Sequence, residues 1–414
     1  MKRIGVFLSA SPSGGGMFQY SQAVLSALLA LPRDEYAVVV AYTDPAWAQF
    51  IPAEFERLPL RLSQTLSATA AVWTALGLQQ KFWLRCAPLF FSVVREIVNE
   101  NCDLWIFPRQ DIWSSRFPVP TLAAVHDLMH RYEPHFPEAG GLGRGRYRQR
   151  YMQELLDSSM GILVDSEVGK QQVLESFEAD PRKVFILPYV PPAYIYETGV
   201  STDFDSRHRL PGKFLFYPAE FWPHKNHLRL IDAIARVRAS CSDIRLILAG
   251  SLGKEYLRVR SHVEKLGLQN RVLFAGYLPE ADMPEYYRRA RALVFPTFFG
   301  PTNIPPLEAF ALGCPVAASG IYGMPEQLGD AALLFDPRSE QEMAECIKRL
   351  WQDDFLCQNL SSKGLQRAQL WGPSQFGSAL HEIIEQMTES PLETIQRSKA
   401  RAGLLASRRA VPLQ

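Results

Sequence analysis

The stretch VLFAGYLPEADMPEYYRRARALVFPTFFGPTNIPPLEAFALGCPVAAS, residues 272–319, decides the fold. It holds three short apolar runs, Val272–Ala275, Ala292–Pro296 and Pro315–Ala318, and each is followed by a turn or by a segment with helical periodicity. This alternation is typical of βα units around a parallel sheet. The stretch therefore predicts part of a doubly wound α/β lobe.

The same alternation extends outward in both directions. The further predicted strands are Ile4–Ser9, Ala37–Tyr42, Leu104–Pro108, Leu122–His126, Ile162–Asp165, Val184–Leu187, Phe214–Tyr217 and Arg245–Ala249. With 414 residues the chain exceeds the size at which one core keeps growing, so two lobes are expected. The predicted parts are a first lobe over 1–190, a linker over 191–212, a second lobe over 213–371, a helix over 372–388 that crosses back to the first lobe, and a flexible tail over 389–414.

Composition excludes several classes of protein. The formal net charge is +1, so no bulk charge draws the chain to nucleic acid. No apolar run is long enough to span a membrane. The six cysteines are widely spaced without a CxxC pair, which is typical of reduced core residues in a cytosolic protein. The start, MKRIGVFLSASPSGGG, is predicted to be a first strand and its turn, not a signal peptide. A cytoplasmic protein is expected.

Ligands of open α/β sheets bind beyond the carboxyl ends of the strands, so residues there are candidate site residues. After the first predicted strand, Gly14, Gly15 and Gly16 allow close approach of a ligand to the backbone before a helix near Phe18. A tight turn without a ligand is the alternative. His126 and Asp127 end another predicted strand, where imidazole can hydrogen-bond sugar hydroxyls. The alternative is that Asp127 caps the next segment and His126 is structural.

Two more candidates lie in the second half. In FWPHKNH, residues 221–227, Lys225 is predicted at the first turn of a helix, where its charge suits a diphosphate, with His224 beside it. A solvated lysine is the usual alternative. A helix predicted near Pro306 places Glu308 in its first turn, where a carboxylate can accept both hydroxyls of a ribose. Glu308 could instead complement the helix dipole.

The order of these four sites resembles that in the large family of retaining GT-B glycosyltransferases. This family includes bacterial mannosyl-, glucosyl- and N-acetylglucosaminyltransferases of cell-envelope assembly. The resemblance runs from Ile4 to about Met387 and is most specific in LEAFALGCPV, residues 307–316. LVDSEVGK, residues 163–170, is similar to a first-lobe segment of the family and adds Ser166.

The resemblance implies the GT-B fold, with two Rossmann-like doubly wound parallel-sheet lobes and a donor cleft between them. The first lobe would present the acceptor and the second would hold the nucleotide sugar. By resemblance, the glycine turn borders donor and acceptor, and His126 faces the donor sugar. Lys225 binds the diphosphate and Glu308 binds the ribose. His126 and Lys225 are therefore the predicted catalytic residues.

Two positions depart from the family pattern. The family commonly has a second glutamate eight residues before the ribose glutamate, and Gly300 stands there. It also has an arginine five residues before the lysine, where this chain has Glu220. Backbone N–H groups of Thr302, Asn303 and Ile304 are the expected substitutes for the lost sugar contacts. The secondary candidates are Asp127, Ser166, Glu220, His224 and Thr302.

The implied reaction is transfer of a hexose, such as mannose or glucose, from a nucleoside-diphosphate sugar to a saccharide or lipid-linked acceptor. Anomeric configuration would be retained, and the product would be a polysaccharide or lipopolysaccharide. No metal or other cofactor is expected, since a lysine and helix N-termini replace the cation. Two rivals stay open: a nucleotide-sugar epimerase of the same fold, and a non-catalytic partner subunit, which Gly300 and Glu220 favour.

Two segments of the predicted first lobe combine aromatic and basic residues. They are KFWLRCAPLFFSVV, residues 81–94, and GLGRGRYRQR, residues 141–150, with Arg144, Arg146, Arg148 and Arg150. This combination suits peripheral contact with an anionic bilayer at the inner face of the cell membrane. The alternative is that the aromatics are core and the arginines a solvated helix start.

Overall fold

The computed structural model describes residues 1–11, 15–140, 144–196, 204–251, 253 and 255–389. The described residues form two parallel sheets, one in each lobe. Among them, no helix combines the length and apolar character needed to cross a bilayer. The predicted linker over 191–212 and tail over 389–414 lie partly or mostly outside the described residues.

The first sheet has the strand order β3-β2-β1-β4-β5-β6-β7, and every neighbouring pair is parallel. The second sheet has the order β10-β9-β8-β11-β12-β13, again all parallel. The strands are β1 (Lys2–Leu8), β2 (Tyr36–Tyr42), β3 (Glu56–Pro59), β4 (Leu104–Phe107), β5 (Thr121–Ala124), β6 (Gly161–Val164), β7 (Val184–Ile186), β8 (Leu215–Pro218), β9 (Leu246–Ala249), β10 (Val272–Gly276), β11 (Ala292–Phe295), β12 (Val316–Ser319) and β13 (Ala332–Phe335).

Helices connect these strands and cover both faces of each sheet. They are α1 (Gly16–Leu28), α2 (Gln64–Leu76), α3 (Gln80–Phe90), α4 (Ser92–Asn99), α5 (Met129–Tyr132), α6 (Arg144–Ser158), α7 (Glu167–Ser176), α8 (Phe204–Arg207), α9 (His227–Val237), α10 (Tyr256–Lys265), α11 (Met283–Arg289), α12 (Ile304–Ala311), α13 (Met324–Leu328), α14 (Glu340–Gln352), α15 (Asp354–Leu370) and α16 (Pro373–Thr388). The predicted α/β class with two parallel-sheet lobes is confirmed.

The central strands are continuous apolar runs because both of their faces are covered. In β4 all four residues are buried, and the same holds for β8 and β11. The first lobe buries separate apolar clusters on the two faces of its sheet. The last helix, α16, places Phe376, Leu380 and Ile384 in one of these first-lobe clusters, where it lies against α1.

Three elements were missing from the sequence-based prediction. The edge strand β3 reads ERLP and is mostly exposed, so it carries no apolar run. The other missed strand, β13, lies at the opposite edge of the second sheet and is only partly buried. In α15 the buried residues are Cys357, Leu360 and Gly364, which is too few for a clear apolar stripe. Weak burial explains why β3 and α15 escaped a pattern based on apolar periodicity, whereas β13 reads ALLF and its short apolar run was overlooked.

One cysteine prediction was wrong. Five of the six cysteines are buried as expected, but Cys86 is exposed on α3. The helical run around it contains enough apolar residues to resemble a core segment, although Cys86 lies on the outer side.

Gly5 in β1 provides a test of sheet packing. A Cβ atom at this position would overlap the indole ring of Trp105 on β4, and Trp105 is fully buried. We expect Gly5→Ala to lower the free energy of unfolding by ~1–3 kcal/mol, because overpacking displaces the ring or the strand. Urea unfolding followed by circular dichroism measures the change.

Gly145→Ala in α6 is the matched control, since nothing lies within 4 Å of its added Cβ. It should leave stability unchanged or raise it by up to ~1 kcal/mol through helix propensity. Equal stability of Gly5→Ala and the parent would contradict the packing described.

Candidate active site

Both sheets reverse their strand order next to their first strand. In the first sheet β1 lies between β2 and β4, and in the second β8 lies between β9 and β11. Connections from such adjacent strands leave to opposite faces of the sheet and open a crevice at the carboxyl end. The candidate residues follow β1 and β5 in one lobe and β8 and β11 in the other. The crevice between the lobes is therefore the expected ligand site.

A cleft between the lobes lies at this place. Its first-lobe wall is formed by Gly15, Gly16 and Gln19 at the start of α1. Its second-lobe wall includes the sequence-predicted residues Glu220, Ile304 and Glu308 together with Gly250, Ser251, Tyr277 and Glu280, and Tyr194 reaches it from the segment after β7. The structure thus brings together five sequence-predicted positions: Gly15, Gly16, Glu220, Ile304 and Glu308. Gly14 lies outside the described residues.

The glycine turn brings backbone close to the second lobe. Gly15 has φ +56°, which L side chains rarely adopt. The helix α1 begins at Gly16, two residues earlier than predicted, and a Cβ there would lie 3.7 Å from Cδ1 of Ile304. The turn therefore forms a narrow wall of the cleft, as a close approach of a ligand to the backbone requires.

Glu308 is a buried carboxylate held by two tyrosines. The hydroxyl of Tyr194 donates to Oε1 at 2.7 Å, and the hydroxyl of Tyr287 donates to Oε2. Burial raises the pKa of the carboxyl, and the two hydroxyls oppose that rise. The prediction that Glu308 lies in the first turn was wrong, because α12 begins at Ile304 and Glu308 falls in its second turn. Each carboxylate oxygen keeps a lone pair for a further donor.

Lys225 is half-buried and is not among the residues that line the cleft, although its charge interacts with that of Glu220, which is one of them. It ends a short 3-10 turn, Pro223–Lys225, and α9 begins only at His227, so the prediction of a first-turn helical lysine was wrong. Within the described part of the chain, its ammonium has no carboxylate at ion-pair distance and lies 5.7 Å from the ring centroid of Phe295. Burial lowers its pKa to about 8, although nearby carboxylates, Glu220 first among them, oppose this. Such a cation is available to an anionic ligand.

His126 is engaged within the first lobe. Its Nε2 lies 2.7 Å from the carbonyl oxygen of Pro108, and its Nδ1 lies 2.8 Å from the hydroxyl of Tyr189. Burial lowers the pKa of the imidazole. The neutral ring therefore donates from Nε2 to the carbonyl and accepts at Nδ1 from Tyr189. This geometry supports a structural histidine, in contrast to the prediction that His126 faces the donor sugar.

Two secondary candidates bond the backbone at the start of helices. Oδ1 of Asp127 accepts from the N–H of Met129 at 2.9 Å at the start of α5. The hydroxyl of Ser166 accepts from the N–H of Gly169 at 3.0 Å and caps α7. Neither lines the cleft. Both residues therefore have a structural role: Ser166 is the N-cap of α7, and Asp127 holds the turn that precedes α5.

Asp165 connects the two lobes through Thr302. Its Oδ2 accepts from the N–H of Thr302 at 2.9 Å and from the hydroxyl of the same residue at 2.5 Å. Its Oδ1 accepts from Ser166 at 3.0 Å. Asp165 is 3% exposed, and burial raises its pKa to about 6. This buried carboxylate holds the loop that leads into α12.

The expected backbone donors of this loop are mostly used by the protein. The N–H of Thr302 binds Asp165, and the N–H of Asn303 donates to Oε1 of Gln327 at 3.1 Å. The next two residues after Ile304 are prolines without an N–H. The prediction that Thr302 and Asn303 offer N–H groups to the sugar was therefore wrong, and Ile304 is the donor that remains of the three.

Gly300 has a conformation that excludes the glutamate of the family pattern. Its φ is +126°, and a Cβ would lie 2.6 Å from Nδ2 of Asn303. The Asn303 side chain is itself buried and contacts the sulfur of Met324. At this position the chain therefore differs from the family pattern in two ways: it lacks the glutamate side chain, and its loop backbone has a conformation that disfavours one.

Further contacts join the lobes around the cleft. Oε1 of Glu138 accepts from the N–H of His224 at 3.0 Å and lies 2.6 Å from its Nδ1. Burial lowers the pKa of His224, so the neutral ring donates from Nδ1. Tyr322 donates to Glu133 at 2.6 Å, and Gln19 donates to Glu280 at 2.6 Å across the cleft itself. His224 therefore helps to hold the two lobes together through its hydrogen bonds to Glu138.

Several site residues carried no sequence signal. Tyr194 and Tyr287 lie 114 and 21 residues from Glu308 in the chain, so only the fold pairs them with its carboxylate. Asp165 is the last residue of the predicted strand Ile162–Asp165, and its position at the carboxyl end of a buried strand was the available signal. Gly250 and Ser251 follow β9 in the same way.

The second lobe matches a known family. Residues 201–367 match the sequence model of glycosyl transferases group 1. The second lobe is a group 1 glycosyl transferase domain. The chain is 28% identical over 247 residues to the O-antigen chain mannosyltransferase B of Escherichia coli. The aligned region covers 56% of this chain and 62% of that relative. The chain thus spans less than two thirds of the length of this relative.

Solved structures share the fold over nearly the whole chain. Sucrose-phosphate synthase from Thermosynechococcus elongatus aligns with a TM-score of 0.72 and 19% identity, covering 94% of this chain and 99% of that structure. Anabaena HepE in complex with UDP aligns with a TM-score of 0.70 and 17% identity, and the alignment covers 93% of this chain and 100% of that structure. The expected GT-B fold is therefore confirmed.

Asp165 should give the protein a measurable pH dependence of stability. Its folded-state pKa of about 6 exceeds the value of about 3.9 for an unfolded aspartate. Between these values the folded state binds more protons, so stability from this group is present at low pH and lost as pH rises. Relative to Asp165→Asn, the parent should lose up to ~3 kcal/mol of unfolding free energy from about pH 4 to pH 7.

Asn is a suitable replacement, since its Oδ1 can accept from Thr302 while Nδ2 donates to Ser166. Urea unfolding across this pH range gives both curves. The control is Asp180→Asn, where hydrogen bonds from Arg182 lower the pKa of the carboxyl to about 2, below the window. Parallel curves for the parent and Asp165→Asn would contradict the raised pKa.

Proposed function

We propose that the chain is a retaining glycosyltransferase that moves a hexose from a nucleoside-diphosphate sugar to a saccharide or lipid-linked acceptor. The observation that carries this proposal is the cleft, in which the glycine turn of one lobe faces Glu308 of a group 1 glycosyl transferase domain. The name of the E. coli relative favours mannose and a surface-polysaccharide product. The UDP in the HepE complex supports a nucleotide in the same type of fold.

In this proposal Glu308 binds the ribose. The carboxylate is fixed by Tyr194 and Tyr287, so its free lone pairs have a defined direction toward the cleft. Two ribose hydroxyls can donate to it without loss of either tyrosine bond. Burial strengthens these hydrogen bonds because water does not compete for the carboxylate.

Lys225 stabilises the leaving diphosphate in the proposed reaction. Negative charge develops on the diphosphate as the bond to the sugar breaks, and a partly buried ammonium interacts with it more strongly than an exposed one would. The N–H of Ile304 and the backbone of the glycine turn are further donors near the cleft. The departing phosphate can accept the proton of the incoming acceptor hydroxyl on the same face, which is the basis for retention.

The test is turnover by the purified chain with a panel of nucleoside-diphosphate sugars, with and without saccharide and lipid-linked acceptors. Mass spectrometry of the products should show a glycosylated acceptor and a free nucleoside diphosphate in equal amounts. Release of nucleotide with an altered free sugar, independent of acceptor, would identify an epimerase. Binding of donor without turnover would identify a partner subunit, which Gly300 and Glu220 favour.

We expect Lys225→Ala to lower kcat/KM about 30- to 1000-fold, which corresponds to a loss of ~2–4 kcal/mol of transition-state stabilisation. The substitution removes the charge that stabilises the leaving group. Lys265→Ala, an exposed lysine of the same lobe, is the control and should leave turnover unchanged. Near-parental activity of Lys225→Ala would remove the lysine from the mechanism.

The pKa of about 8 for Lys225 adds a pH arm to this test. The charged form exists below the pKa, so donor binding by the free protein should weaken as pH rises above about 8. Arginine stays charged, and Lys225→Arg should lack this alkaline loss even where its activity is lower.

Glu308→Ala should weaken binding of nucleoside diphosphates by ~2–3 kcal/mol, because the ribose loses its hydrogen bonds to a buried charge. Isothermal titration calorimetry measures affinity, and thermal unfolding checks that the fold is intact. Tyr194→Phe is the control, since it removes one supporting hydroxyl and leaves the carboxylate in place. If Glu308→Ala binds nucleotide as tightly as the parent, Glu308 serves only to hold the two tyrosines.

A further inference from the structure

The helix α3 has an exposed outer face that is apolar and basic. Positions 81, 82, 85, 86, 89 and 90 are exposed, and this spacing forms one stripe along a helix. Phe82 is 53% exposed, Leu89 72% and Phe90 76%. The inner side is different, since Trp83 and Ala87 are buried in a first-lobe core cluster. The alternative that the aromatics of this segment are all core is therefore wrong.

The apolar surface continues onto the end of α2. Val72 is 55% exposed, Leu76 66% and Leu78 42%. The two helices adjoin, because the rings of Trp73 and Trp83 contact each other with centroids 5.5 Å apart. We call the exposed residues of both helices the α2–α3 face. Large apolar side chains grouped in this way mark an interaction surface in a soluble protein.

The segment that carries this face has basic residues and no acidic ones. Residues 57–95 contain no Asp or Glu, while Lys81 and Arg85 lie on the exposed stripe itself. Arg150 of α6 reaches the end of α2, where it donates to the carbonyl oxygen of Ala75. Its guanidinium carbon would lie 3.5 Å from a Cβ at Gly77. The face therefore combines exposed apolar side chains with basic ones of its own segment.

The arginines of α6 differ from the sequence-based hypothesis. Arg148 donates to the carbonyl oxygen of Ala139 at 3.3 Å, so it stabilises the first lobe. Arg146 is exposed, and the side chain of Arg144 lies outside the described residues. The basic side chains that accompany the exposed aromatics are thus chiefly Lys81 and Arg85 of α3 itself.

We propose that the α2–α3 face binds the surface of an anionic lipid bilayer. Phe82, Leu89 and Phe90 would enter the region between headgroups and acyl chains, with α3 parallel to the membrane plane. Lys81 and Arg85 would contact anionic headgroups at the same level, and long basic side chains keep their charge there. This inference rests on the surface alone and does not require the proposed function.

Charge complementarity favours a bilayer over a second copy of the chain. A two-fold dimer through this face would place the same surface against itself. Lys81 and Arg85 would then meet basic residues of the second copy, and residues 57–95 supply no carboxylate to pair with them. An anionic bilayer satisfies both the charge and the apolar area.

Cys86 allows a direct test, because it lies on the exposed stripe and the other five cysteines are buried. An environment-sensitive maleimide fluorophore can therefore label this position in the full chain. The labelled protein is mixed with vesicles of phosphatidylglycerol and phosphatidylethanolamine, or with vesicles of phosphatidylcholine alone. We expect a blue shift and co-sedimentation with the anionic vesicles only, both weakened by added salt.

Two sets of variants locate the surface on the unlabelled protein. Lys81→Glu with Arg85→Glu should reduce binding to the anionic vesicles by about tenfold or more. The charge-matched control is Arg209→Glu before the second lobe with Lys265→Glu in that lobe, both at exposed positions. Phe90→Ser should also weaken binding, whereas Phe355→Ser should not, although Phe355 is 79% exposed.

Three outcomes would overturn the proposal. One is absence of sedimentation with anionic vesicles at low salt. Another is sedimentation that the α3 variants and their controls affect equally, which would place the contact elsewhere. The third is a concentration-dependent dimer, seen by analytical ultracentrifugation, that Phe90→Ser converts to monomer, since this would assign the face to self-association.

Discussion

The hydrogen bonds from Thr302 to the buried carboxylate of Asp165 join the two lobes at the loop on which the candidate site depends. Asp165 belongs to the end of a first-lobe strand, and Thr302 belongs to the loop before α12. That loop sets where α12 begins, and α12 carries Ile304 and Glu308 into the cleft. A buried carboxylate without partners is costly, so the fold favours the arrangement in which Thr302 satisfies it. This contact is one of those that hold the glycine turn opposite Glu308.

The proposed site combines two unlike groups. Glu308 is a buried acceptor whose geometry two tyrosines fix, whereas Lys225 is a half-buried cation on a short turn. The start of α12 offers fewer N–H donors than an ordinary helix, because two prolines follow Ile304. In the proposed reaction, stabilisation of the leaving diphosphate would therefore depend more on Lys225 than on this helix N-terminus. The two tyrosines fix the position of the Glu308 carboxylate, whereas Lys225 contributes mainly its positive charge.

The sequence was sufficient to predict the βα alternation, the two lobes and most central strands, because central parallel strands are uniformly apolar. Edge elements such as β3 and a weakly amphipathic helix such as α15 lack that signal. Glu308 was recognised from its local motif, although its helix begins earlier than predicted. The partners of His126 could not be predicted, since Pro108 and Tyr189 reach it from distant parts of the chain. Motifs located the cleft, and tertiary contacts determined which members of each motif face it.

The loop at Gly300 has a consequence for how this site can evolve. A glutamate at that position would need a backbone with negative φ, and it would also need the space that the amide of Asn303 fills. A new backbone conformation at Gly300 would not accommodate the glutamate unless the Asn303 side chain also moved. Asn303 is itself hydrogen-bonded to Gln327 and contacts Met324. A single substitution therefore cannot restore the acidic residue. The two positions form an epistatic pair, and descent from an ancestor with the glutamate would be difficult to reverse one step at a time.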